Sequence, residues 1–127
     1  MRESNLFEYA VIRAVPRVER EEFVNVGVIL FCKKKKYLNV LYVLNESKIK
    51  AFSDTIDFEE FKAHLLAFNE IALGSKGSGP IGELEEAERF RWLTATRSTV
   101  LQTSKVHPGL SEDLEKTIER IFTEQVL

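Results

Sequence analysis

Apolar positions in this chain change period part-way along it, from near-continuous runs to helical spacing. The stretch FEYAVIRAV (7–15) is rich in β-formers and apolar on both alternating faces except at Glu8 and Arg13, which predicts a central strand covered on both sides. The polar stretch PRVEREE follows, then FVNVGVILFC (23–32) repeats the pattern. YLNVLYVL (37–44) comes after only KKKK, so the two runs predict a hairpin with lysines at its tip. In IDFEEFKAHLLAFNEIALG the period becomes helical: Phe58, Phe61, Leu65, Phe68 and Ala72 share one face. Asp57 stands as N-cap with Glu60 three residues on, Ile56 and Phe61 could form a hydrophobic staple, and Gly74 stops the helix. A second, acidic helix is expected over about 83–93, a further strand over STVLQTSK (98–105), and a last helix capped by Ser111 with Leu114, Ile118, Ile121 and Phe122 inward. The order βββααβα predicts an α+β fold, with a mainly antiparallel sheet of about four strands and three helices packed on it, as one domain over 1–127.

Composition narrows the function classes. A 127-residue chain with 44% hydrophobic residues can bury roughly two-thirds of the surface its unfolded form exposes, so it needs no staple to fold. The single cysteine, Cys32, lies inside an apolar run and argues for a reducing, cytoplasmic setting. The longest apolar run, Val26 to Cys32, is far shorter than the ~20 residues of a membrane span, and no signal peptide or anchor is expected. Net charge is −2, but residues 1–50 carry +4 and residues 51–127 carry −6. One half could therefore face an acidic partner, while the whole is not basic enough for a general nucleic-acid binder.

Several stretches could carry chemistry. GSGPIG (77–82) fits the letters of a dinucleotide-binding loop, which works when a strand leads into the turn and a helix N-terminus follows. Here a helix leads in, no Gly-Lys-Ser/Thr completes a phosphate loop, and Pro80 removes an N–H donor, so a connector is expected. The stretch EREEFVNVGVILF crowds polar residues at the mouth of an apolar strand. If the first two strands pair antiparallel, Arg13 comes close to Asn25 with Glu22 nearby, a polar cluster that either satisfies itself, with Glu19 or a carbonyl as further acceptors, or receives an anion. Gly27 suggests a bulge or a close backbone approach.

Near the end, Arg89, Arg91, Trp92, Arg97, Ser98 and His107 could form an anion or nucleic-acid site, with Arg97, Ser98 and His107 the main candidates. The acidic run Glu83, Glu85, Glu86 and Glu88 just upstream would repel a phosphate backbone, which favours core and solvated-surface roles for Trp92 and the arginines before it. His107 precedes Pro108 and Gly109, a loop position from which a base could project. No His and acid spacing suggests a metal, no cofactor is indicated, and Cys32 is too embedded for a nucleophile.

The segments EYAVIRAVPRVEREEFVNVGVILF and RFRWLTATRSTVLQTSKVHPGL resemble the bacterial family known as domain of unknown function 3037. The resemblance spans nearly the whole chain, and its more specific part is Arg13, Pro16, Glu22, Asn25, Val26 and Gly27. It implies a small soluble protein without an assigned activity. It also implies an accessory or antitoxin-like role beside a HipA-like kinase.

The first expectation is thus a non-enzymatic protein-interaction module, with the lysine tip and the acidic helix as its handles. The second is an enzyme or ligand-binding protein for a phosphate-containing small molecule or nucleic acid, using Arg13, Arg97 and His107. A nucleic-acid binder built on Trp92 and the arginines comes third. An open edge strand would also support a homodimer.

Overall fold

A computed structural model describes residues 3–16, 22–95 and 100–127. The predicted α+β class with an antiparallel sheet is found, with more elements than expected. Strands β1 (Asn5–Ala14), β2 (Val24–Cys32) and β3 (Tyr37–Tyr42) are followed by helices α1 (Glu46–Phe52), α2 (Phe58–Leu73) and α3 (Glu86–Leu93), then β4 (Leu101–Thr103), β5 (His107–Ser111) and α4 (Leu114–Gln125). Among the described residues the expected order βββααβα is corrected to βββαααββα, with five strands and four helices. A 3-10 turn, Ile81–Glu83, precedes α3, which starts later than expected.

All described pairings are antiparallel, in the order β3-β2-β1, and β4 and β5 pair in succession with the far side of β1. Lys33 to Lys36 form the turn of the β2–β3 hairpin. Even-numbered positions of β1, Ala10, Ile12 and Ala14, join Ile29, Phe31 and the buried faces of α2 and α3 in the larger core. The opposite face of the sheet gives Phe7, Val28, Leu30 and Cys32 to a second core under Ile118 and Ile121 of α4. β1 and β2 are covered on both faces, which explains their unbroken apolar runs.

Helix α2 follows the local rules closely. The Asp57 side chain accepts from the Glu60 N–H at 3.2 Å, and Gly74 ends the helix in the left-handed conformation at φ 66°. Helix α4 is capped by Asp113 rather than Ser111, because Ser111 still belongs to β5 and its hydroxyl accepts from the Asp113 N–H.

β4 and β5 form one interrupted strand. Ile12 faces Thr103 but Tyr9 faces His107, so one extra residue is accommodated between them. Ser104 closes the gap: its N–H donates to the Val11 carbonyl at 2.8 Å, and its hydroxyl accepts from the Val11 N–H at 2.8 Å. A side-chain oxygen here replaces a ladder carbonyl. Ser104→Ala would strand the buried Val11 donor at a cost of about 1–3 kcal/mol. Thermal unfolding should show this as a fall of about 4–10 °C; an unchanged melting temperature would mean that the ladder re-forms without the hydroxyl.

The two edges of the sheet are interrupted as well. Val43 donates its N–H to Val26 of β2, so by alternation Val40 turns its own outward, where the Asn39 side chain accepts it at 2.9 Å. On the other edge, Val11 and Val15 donate toward β4 and Ser104, which turns Glu8 toward β2. Pro108, opposite Glu8, therefore places its missing donor on the open side of β5. Among the described residues, no helix is long and apolar enough to cross a membrane.

Candidate functional site

The polar cluster at the mouth of β2 depends on a bulge. Ile12 pairs with Gly27 and Arg13 with Asn25, so Val26 is the extra residue, and β2 bends where the apolar run begins. Arg13 and Asn25 thereby become neighbours on the sheet face that carries α4. The Arg13 Nε–H donates to Asn25 Oδ1 at 3.4 Å, and the guanidinium carbon lies 3.8 Å from the centre of the Phe23 ring. Asn25 is itself fixed, donating from Nδ2 to the Gln125 carbonyl at the end of α4 at 2.8 Å. Burial pulls the Arg13 guanidinium below its ordinary pKa. Gln102 of β4 stands opposite Arg13 on its other side.

Arg13 and Asn25 are thus brought together, and Phe23, whose ring the sequence did not single out, completes the grouping. Glu22 is exposed and takes a different position. With Pro16 it lines an open cleft of about 550 Å³, whose far wall is the end of α1 and the turn Ser53 to Thr55. The structure pairs Arg13 with Asn25 and Phe23 rather than with Glu22. Glu19, considered as an acceptor for Arg13, lies outside the described residues.

His107 is not in a loop, as its Pro-Gly neighbours suggested, but is the first residue of β5, since β1 supplies a partner strand that the local sequence does not reveal. It pairs with Tyr9, and the two rings lie 5.3 Å apart at 36°. Tyr9 and Arg13 are four residues apart on β1, so the His107 stack and the Arg13 cluster share a sheet face about 13 Å apart. The other two anion candidates, Arg97 and Ser98, lie outside the described residues.

The two arginines of α3 are engaged elsewhere. Arg91 makes a two-pronged pair with Glu8 at 2.9 and 3.0 Å, and this hydrogen bonding raises its pKa. Arg89 donates to the Leu84 carbonyl at 3.2 Å and lies against Gly74 at the end of α2. Phe90 and Leu93 are buried, but Trp92 remains 40% exposed and borders a groove between α2 and α3 with His64 and Ile71, a more open setting than a core residue has. GSGPIG follows the end of α2 and leads into the 3-10 turn, with no strand before it, so the glycines form a connector.

The lysine tip and the acidic run, treated above as separate handles, line one cleft of about 410 Å³ with Lys33 and Lys36 on one side and Glu83, Glu85 and Glu86 on the other. Part of the charge asymmetry along the chain is therefore met within the fold. Among the described residues, no three His, Cys, Asp or Glu side chains cluster as metal ligands.

One exposed apolar pair has no counterpart in the sequence reading. Leu6 and Leu110 are cross-strand partners on β1 and β5, exposed by 63% and 70%. They share their face with Pro108 and with the Glu8 and Arg91 pair. Their adjacency depends on the β1–β5 register, so no local signal could have identified it.

No curated protein and no solved structure matches the chain. A family model does, over residues 9–126: the protein of unknown function family DUF3037. That match takes in β1 from Tyr9 onward, the bulge that joins Arg13 to Asn25, and all of α4, and the chain therefore belongs to the DUF3037 family.

Proposed function

We propose that this chain is a non-enzymatic accessory module that binds another protein through the sheet face bearing Leu6 and Leu110. The leucine pair carries the reading. Single exposed leucines are ordinary on protein surfaces, but these two are adjacent cross-strand neighbours in one row with Pro108. The ion pair of Glu8 and Arg91 beside them supplies the polar border that protein interfaces have around an apolar centre. The blunted edges at Asn39 and Pro108 favour contact through side chains over strand addition. A HipA-like kinase, which the family resemblance suggests, is the partner to try first, in a regulatory pairing of the toxin–antitoxin kind.

The test is affinity capture from nuclease-treated lysate of the native host, with the intact complex weighed by mass spectrometry and compared with a Leu6→Glu, Leu110→Glu double variant. A stoichiometric protein partner should be retained by the parent chain and reduced at least about ten-fold by the variant, whose exposed substitutions leave the cores intact. Equal retention by both chains, or recovery of the parent without a protein partner, would overturn the reading. A parent that is recovered as a dimer, and a variant as a monomer, would make a second copy the partner.

A further inference from the structure

We infer that Arg13 is a receptor for a carboxylate, held ready on the α4 side of the sheet. The inference does not depend on the leucine pair, which lies on the opposite face. It begins from how the described arginines are used. Arg91 spends both terminal nitrogens on Glu8, Arg89 uses one on the Leu84 carbonyl, and Arg120 uses one on Glu124. Arg13 differs: its Nε holds Asn25, one face of its guanidinium lies on Phe23, and among the described residues no oxygen receives its two terminal nitrogens.

The side chain is also held in place. Phe23 fixes the plane of the guanidinium, Asn25 fixes its rotation, and the Gln125 carbonyl fixes Asn25. A partly buried cation with an oriented pair of terminal nitrogens matches a planar oxyanion, which can accept two parallel hydrogen bonds from it. The surroundings select among oxyanions. Asn25 and Gln102 beside Arg13 are neutral, and the Gln125 carbonyl belongs to the end of α4, where the helix dipole is negative. One positive charge in that setting suits a singly charged carboxylate better than a phosphate dianion. The carboxylate could belong to a small organic acid or to an acidic side chain of a protein.

The experiment follows the Arg13 side-chain Nε–H resonance by NMR during titration of the full chain with acetate, with a short acidic peptide and with inorganic phosphate. Saturable shifts with acetate or peptide are expected, with phosphate weaker than both. A peptide about ten-fold tighter than acetate identifies a protein source, and equal affinities a small acid. Arg13→Lys keeps the charge but loses the fork and, followed through the side-chain amide of the adjacent Asn25, should weaken carboxylate binding about ten-fold. Phe23→Leu keeps Arg13 and removes the stack; it should weaken binding by about three- to ten-fold, and it serves if Arg13 variants do not fold. No saturable shift with either carboxylate, tighter binding of phosphate, or unchanged affinity in both variants would overturn the assignment.

Discussion

Replacing Gly27 by valine should lower stability by about 2–4 kcal/mol, at or above the usual cost of overpacking a core. A Cβ at this position would stand 2.7 Å from the Leu41 carbonyl oxygen and 3.0 Å from the Tyr42 Cβ. The first of these is backbone of β3 and cannot swing aside as a side chain would. The constraint is space rather than conformation, since Gly27 is not among the glycines with positive φ. Relief would require β3 to move away from β2 next to the bulge at Val26, where the β1–β2 ladder is already interrupted. Thermal unfolding followed by circular dichroism should show a loss of about 8–15 °C, with Gly27→Ala less severe. If the valine variant melts with the parent, β3 does not approach β2 this closely.

Phe61→Ala should cost about 3–5 kcal/mol, the range for removing a buried aromatic ring. Phe61 is fully buried and joins α2 to the larger core, where Phe31 of β2 stacks on Phe90 of α3 with ring centres 5.2 Å apart. A cavity there would be lined by residues from the sheet and from two helices, which cannot all move in to fill it. The expected loss is about 10–18 °C, and Phe61→Leu should lose much less. Leu66, on the same helix but 40% exposed, is the control: Leu66→Ala should change stability by no more than about 0.5 kcal/mol. Equal losses at the two positions would mean that α2 presents a different face to the sheet.

These two positions also mark how far the sequence could be read. The face of α2, its Asp57 cap and its Gly74 stop follow from spacing and cap chemistry within one segment, and the structure has all three. The β2–β3 hairpin was legible for the same reason. α1 was not, because Ile49 is its one buried residue and seven residues with a single buried apolar position show no period. β5 was hidden by its own composition. HPGLS holds two poor strand formers and becomes a strand only because β1 offers a partner and Ser104 absorbs the extra residue.

The candidate site divides along the same line. The approach of Arg13 to Asn25 follows from antiparallel pairing of two recognisable runs, although the bulge that sets their register does not. The Phe23 stack, the anchoring of Asn25 by α4 and the adjacency of Leu6 and Leu110 arise from contacts distant in sequence. Charge misled in the opposite sense. Lysines and acids far apart in the chain looked like two surfaces, and folding places them around one cleft.

The interrupted edges matter beyond recognition. A sheet whose middle strands are nearly continuous runs of valine, isoleucine, leucine and phenylalanine has the composition of a fibril-forming segment. Fibres grow when an open edge templates a new strand from another molecule, which needs a row of donors and acceptors. Asn39 occupies one donor on β3 and Pro108 deletes one on β5, so an incoming strand meets a gap at either end of the sheet. With one edge donor taken on each side, the chain can keep very apolar central strands in a crowded solution without those strands becoming seeds.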